Sequence, residues 1–143
     1  MPRADDFYQT LQQVRTANQH FLAGDSTPYK ACWSHTDEVT IFGGWGAYEK
    51  GWEQVGPRLD WAAARFLEGQ RTIELLSMAL SGDLAYTGWI ERGETRVVGS
   101  DELRPSGLRV THIFRREEGA WKVIHRHADA IMEKIEATAV SRQ

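Results

Sequence analysis

The last apolar run of the chain reads Trp121-Lys122-Val123-Ile124-His125-Arg126-His127-Ala128-Asp129, and it carries residue types suited to proton chemistry. Read as a strand, it alternates between two faces, so Trp121, Val123, His125, His127 and Asp129 share one while Lys122 and Arg126 share the other. The charged pair is expected to face water. That leaves His125 and His127 facing an interior, about 6.5 to 7 Å apart along the strand. An imidazole titrates near neutrality, so His127 oriented by Asp129 can act as general acid or base. In the preceding strand Arg109 to Ile113 alternates likewise, but a bulge would change its parity, so either Arg109 or His112 is expected to point inward. One strand earlier Ala85, Thr87, Trp89 and Glu91 form one face, and Glu91 is the acid that an inward Arg109 or His112 would meet. The candidate catalytic residues are therefore His127, His112, Asp129 and Glu91, with Arg109 and His125 as ligand contacts.

His-x-His on a strand with a third histidine or carboxylate is also a metal-ligand pattern, and His112 or Glu91 would supply the third ligand. The same spacing recurs wherever a strand lines a polar cavity, and neither a metal nor another cofactor is expected. The chain holds six tryptophans, and so much amphipathic ring surface suits a pocket or an interface. Tyr29 and Phe66 are candidates for lining such a pocket, and Trp33, His35, Phe42, Trp45, Tyr48, Trp61 and Trp89 complete the expected ligand-binding set. Three readings stay open: acid–base catalysis on a bound small molecule, binding without chemistry, and a packed domain for self-association whose histidines are simply hydrogen-bonded.

These residues need elements to position them. With 143 residues the chain fits one domain, residues 1–143, with a core over about 5–130 and a tail over 131–143. Its formal charge of −3 is spread through the sequence, so no basic field exists to attract nucleic acid or an anionic membrane. No apolar stretch has the length of a signal or a membrane span, and the single cysteine, Cys32, excludes an intramolecular disulfide. A cytoplasmic protein with a small-molecule partner, without nucleic acid or membrane, is the expectation.

Phe7, Leu11, Val14, Asn18 and Phe21 recur at helical spacing, which predicts a first helix over 4–23 that Gly24 ends. Ser26 or Thr27 before Pro28 opens a short second helix, and Val39-Thr40-Ile41 predicts a strand stopped by Gly43-Gly44. Trp52, Val55, Leu59, Ala62 and Phe66 predict a third helix over 51–68, stopped by Gly69. Period-two alternation then predicts strands around the Gly82-Asp83 and Glu118-Gly119 hairpins, with further turns at Gly93-Glu94 and 104–107. The glycines at 43, 44 and 46 are expected to bend over a pocket mouth. Helices followed by a meander give the α+β class: a curved, mainly antiparallel sheet wrapped around N-terminal helices.

That order resembles the nuclear transport factor 2-like (cystatin-like) fold, in its SnoaL-like and ketosteroid isomerase-like branch. The resemblance rests on Trp33-Ser34-His35-Thr36-Asp37-Glu38-Val39-Thr40-Ile41-Phe42-Gly43 leading into the first strand, on Ser81-Gly82-Asp83-Leu84-Ala85-Tyr86, and on the final hairpin Arg116 to His127. It implies a cone-shaped cavity between sheet and helices, and a homodimer. Ile124, between Lys122 and Arg126, would supply an apolar strip for a dimer on the outer sheet face. Isomerases of the superfamily place a general-base aspartate late in the first strand, where this chain has Phe42, so steroid isomerisation is not expected. An isomerase, cyclase or hydrolase-type enzyme using histidine, or a binding or self-association domain on the same scaffold, is what the resemblance leaves.

Overall fold

The computed structural model describes residues 4–140. Its elements follow in the order α1 (Ala4–Leu22), α2 (Thr27–Ala31), β1 (Thr40–Phe42), β2 (Glu49–Lys50), α3 (Trp52–Ala63), β3 (Phe66–Ser81), β4 (Leu84–Val97), β5 (Arg104–Glu117), β6 (Ala120–Ala130) and α4 (Ala137–Val140). The six strands form one curved, unclosed sheet in the order β2-β1-β6-β5-β4-β3. Every neighbouring pair is antiparallel except β1 with β6, which run parallel. No helix among the described residues is long and apolar enough to cross a membrane.

The helices cover the concave face because their apolar stripes have nowhere else to go. Phe7, Leu11 and Val14 of α1 are buried together with Trp33, Val55 and Leu59, against Ala85, Trp89, Val110, Phe114, Trp121 and Val123 of the sheet. Phe7 meets the rings of Phe114 and Trp121 edge-on at 5.0 and 5.3 Å. Gly24 closes α1 in the left-handed conformation, at φ 95°.

Two departures from the sequence pattern shape the cone. The third helix ends at Ala63 and β3 already begins at Phe66, so Gly69 lies inside a strand, and β4 runs unbroken through Gly93 and Glu94. Both glycines act as bends where two backbones close on each other. A methyl group on Gly93 would overlap the Gln70 carbonyl, and one on Gly69 would lie 2.8 Å from the Thr95 side chain. Likewise 104–107 opens β5 instead of forming a turn.

The second departure is a bulge. Phe114 pairs with Val123 but Ile113 pairs with His125, so Ile124 is one residue too many on β6. Beyond it the alternation inverts. Trp121 and Val123 face the core, whereas Arg126 and Ala128 take the inward positions and His125, His127 and Asp129 the outward ones. Ile124 itself is half-buried and packs toward the core, so it forms no apolar strip between two exposed cations.

The bend at Gly93 is testable by adding one methyl group. Gly93→Ala is expected to lower stability by about 1–3 kcal/mol through forced backbone movement, whereas Gly88→Ala, with open space around its Cα, should be near neutral. Urea unfolding of both variants checks this, and equal midpoints would show that the strands do not close at Gly93.

Candidate functional site

Between the concave face and the helices lies a cavity of about 380 Å³. Its mouth is formed by Gly43, Gly44 and Trp45 in the β1–β2 connection with Arg58 and Ala62 of α3. Phe21, Leu59, Phe66, Leu108 and Ile131 supply apolar wall, and Asn18, Tyr29, Arg71, Ser106 and Arg126 supply polar lining. Largely apolar walls with a few convergent polar groups are the usual make-up of a small-molecule site.

The polar groups are joined in one buried network. The Glu91 side chain is fully buried; its Oε1 accepts from Arg71 Nη1 at 3.3 Å, and its Oε2 accepts from Trp89 Nε1 at 3.0 Å and Arg126 Nη1 at 3.3 Å. Arg71 Nη2 donates to Ser106 Oγ at 2.6 Å. Arg126 Nη1 also lies 3.4 Å from both the Tyr29 hydroxyl and His112 Nε2, and the Tyr29 hydroxyl is 2.6 Å from the same Nε2. A guanidinium can only donate, so Nε2 is an acceptor, the phenol donates to it, and the imidazole is neutral with its proton on Nδ1.

Electrostatics agree with that assignment. Burial, with the charges of Arg126 and His125, holds the His112 proton affinity well below the ordinary imidazole value. Burial pushes the Tyr29 phenol up to about 12 against the opposing effect of Arg126, so it stays protonated at neutral pH. Burial alone would raise the Glu91 carboxyl, but Arg126, Arg71 and the hydrogen bond from Trp89 more than offset it and keep the group ionised. His112 Nδ1 and Thr87 Oγ1, on directly opposed residues of β5 and β4, are both buried without a protein partner among the described residues.

The structure separates the sequence-predicted residues into two sets. His112, Glu91 and Trp89 stand on the concave side, Trp89 and Glu91 directly behind the arginines, and Trp45 stands at the mouth. His127 is exposed on the outer face, a correction that follows from the bulge at Ile124. Asp129 is turned outward with it and binds the equally outward Arg109 through two bonds of 2.7 and 2.8 Å, so it does not orient His127. His125 lies outward too, with Nδ1 2.6 Å from the Thr40 hydroxyl, and Phe42 packs edge-on against His125 and His127. The sheet therefore stands between that histidine pair and His112 or Glu91, so the structure does not bring them together. Trp33 is core. His35 stacks on Trp52 at 3.9 Å while its Nε2 donates to the Lys30 carbonyl, away from the cavity. Tyr48 is 72% exposed, and Trp61 stands outside Trp45, beneath Arg58 at 4.0 Å.

Sequence reading missed Arg71, Arg126, Asn18 as a cavity residue, and Ser106. Arg71 carries a signal, since it shares parity with the inward Ile73 and Leu75, but a helix predicted to run to residue 68 hides that the strand already begins at Phe66. Ser106 shares parity with Val110 and His112 in the same way. Arg126 had none, because only the pairing register reveals the bulge.

A six-stranded curved sheet folded over α1 to α3, with a cavity open at one end of the cone, defines a nuclear transport factor 2-like protein. The model of the SnoaL-like domain matches residues 11–133, and the chain belongs to that family. Among solved structures it is similar to a nuclear transport factor 2-like superfamily protein from Salmonella enterica, at 13% identity over 93% of this chain and 94% of that one, with a TM-score of 0.75. A ketosteroid isomerase-like protein from Erwinia carotovora atroseptica matches at 14% identity over 88% and 94%, TM-score 0.75. A protein with a cystatin-like fold from Caulobacter vibrioides matches at 13% identity over 96% and 93%, TM-score 0.66. These likenesses show the fold. No curated protein matches the chain.

The neutral, buried His112 has a consequence for stability. Its imidazole binds protons below about pH 6.5 when unfolded but resists protonation when folded, so the unfolded state takes up more protons as the solution is acidified. Stability should be intact above about pH 6.5 and fall progressively as the pH drops below it. His112→Gln should flatten that slope, leaving the smaller share from His125, whose proton affinity burial also lowers. Urea midpoints across the range measure both, and an unchanged slope in the variant would show that His112 is not held neutral.

Proposed function

We propose that the cone binds a small, largely apolar organic molecule and transfers protons at its polar end, with Tyr29 as the group that meets the ligand oxygen. One observation carries the reading: a Tyr29–His112 hydrogen bond of 2.6 Å at the inner part of an open cavity, with Arg126 bearing on both atoms. Tyr29 is part of the lining while His112 stands behind it. Two actions are available. Turned away from His112 Nε2, the Tyr29 hydroxyl can donate a hydrogen bond to a ligand oxygen, with Arg126 Nη1 steadying the negative charge that the phenol oxygen gains. In the other direction a ligand or water O–H gives its proton to Tyr29 Oη while the phenolic proton passes to His112 Nε2. The imidazolium so formed is disfavoured by burial and by Arg126, so it returns the proton readily. Such transfers serve isomerisation, cyclisation and hydrolysis-type reactions, and the ketosteroid isomerase-like relative is consistent with the first.

Binding without turnover is the second reading. It is favoured by the absence of a carboxylate from the cavity lining among the described residues and by the engagement of both Glu91 oxygens with Arg71, Arg126 and Trp89.

Deuterium uptake separates the two. With 2-tetralone, a small cyclic ketone, in deuterated water, the protein should accelerate exchange next to the carbonyl, since donation to the oxygen eases loss of the neighbouring proton to water. Tyr29→Phe should bind the ketone comparably, because the ring is kept, and lose exchange by about 100-fold or more. Exchange at the protein-free rate while the ketone is bound would leave the binding reading; exchange unaffected by Tyr29→Phe would remove Tyr29 from the chemistry.

A further inference from the structure

We propose that the ligand of the cone carries a single carboxylate, held by Arg71 and Arg126; the inference rests on the cone being a ligand site and names what that site selects. Among the described residues the cavity lining includes three arginines, Arg58, Arg71 and Arg126, and no aspartate or glutamate. Arg58 reaches Glu49 at 3.8 Å and lies over Trp61 at the mouth, where solvent attends to its charge. The other two are deep, with side chains 6% and 12% exposed, and Glu91 is the carboxylate they share. Two buried guanidinium charges against one buried carboxylate leave one positive charge without a counterion, and His112, being neutral, does not change that sum. Desolvated charge without a partner is costly, and a guanidinium cannot relieve it by losing its proton.

The donors are also incompletely used. All contacts of Arg126 run through Nη1, which leaves Nε and Nη2 without a protein partner among the described residues. Arg71 Nε is buried and likewise unpartnered, while its Nη1 and Nη2 are fixed by Glu91 and Ser106. A ligand carboxylate placed against Nε and Nη2 of Arg126, beside the charge of Arg71, would supply the missing charge and planar acceptors for a guanidinium fork. One uncompensated charge suits a monoanion better than a dianionic phosphate. Phe21, Phe66 and Leu108 offer the remainder of the ligand an apolar ring-sized environment.

Three probes of one shape test this by calorimetry at neutral pH: 1-naphthoate, the neutral 1-naphthamide and 1-naphthyl phosphate. Naphthoate is expected to bind at least about tenfold tighter than the amide and tighter than the phosphate. In Arg71→Gln, where Glu91 keeps Arg126, the preference of naphthoate over amide should shrink several-fold with amide affinity little changed. The comparison of the three probes on the unaltered protein stands even if that variant folds poorly. Equal or tighter binding of the amide overturns the carboxylate assignment and leaves the cone as a neutral-ligand site. Tightest binding of the phosphate overturns the monoanion. Binding of none of the three overturns the assignment and the ligand-site reading together.

Discussion

A carboxylate buried beneath the cavity, Glu91, has to be ionised, and the inner end of the cone is arranged around keeping it so. Taking a carboxylate out of water costs several kcal/mol, and that cost is recovered only if its oxygens are fully engaged. Glu91 is engaged by Arg71 from β3, Trp89 from its own strand and Arg126 from β6. These bonds tie together strands that are not all neighbours, since β6 and β4 are separated by β5. The pair Tyr29 and His112 depends on the same anchor, because Arg126 reaches both from the nitrogen that Glu91 holds.

The backbone devices serve this arrangement. Bends at Gly69 and Gly93 bring β3 and β4 close, and curve the face that carries Arg71 and Glu91. The bulge at Ile124 turns Arg126 inward past Trp121 and Val123, which keep the apolar packing of the narrow end. Without that one extra residue the same strand would direct two histidines and an aspartate into the cone and an arginine to solvent. A change of register thus decides whether the interior is imidazole-rich or guanidinium-rich.

The sequence made the α+β class, the helical stripes and the meander legible, because these follow from local periodicity. Alternation also placed Ala85, Thr87, Trp89 and Glu91 on one face, and left His112 as one of two choices for the interior. It failed at His125, His127 and Asp129 because a bulge is a property of the pairing between β5 and β6, and no residue type at Ile124 announces it. Gly69 suggests a helix stop and Gly93 a turn because glycine marks a chain reversal and a close backbone approach with the same letter; only the opposing Thr95 and Gln70 distinguish them. The ordinary expectation for a charge sends Arg126 to water. The compensating acid was visible at Glu91, but nothing local connects two residues that lie 35 positions apart.

The dependence on Glu91 is tested most directly by the unfolding free energy of Glu91→Gln, which keeps the side-chain shape and removes the charge. Leaving Arg71 and Arg126 without their counterion should lower stability by about 3–5 kcal/mol. A urea midpoint equal to that of the unaltered protein would contradict the account, since the arginines would then be held by something other than the carboxylate at the base of the cone.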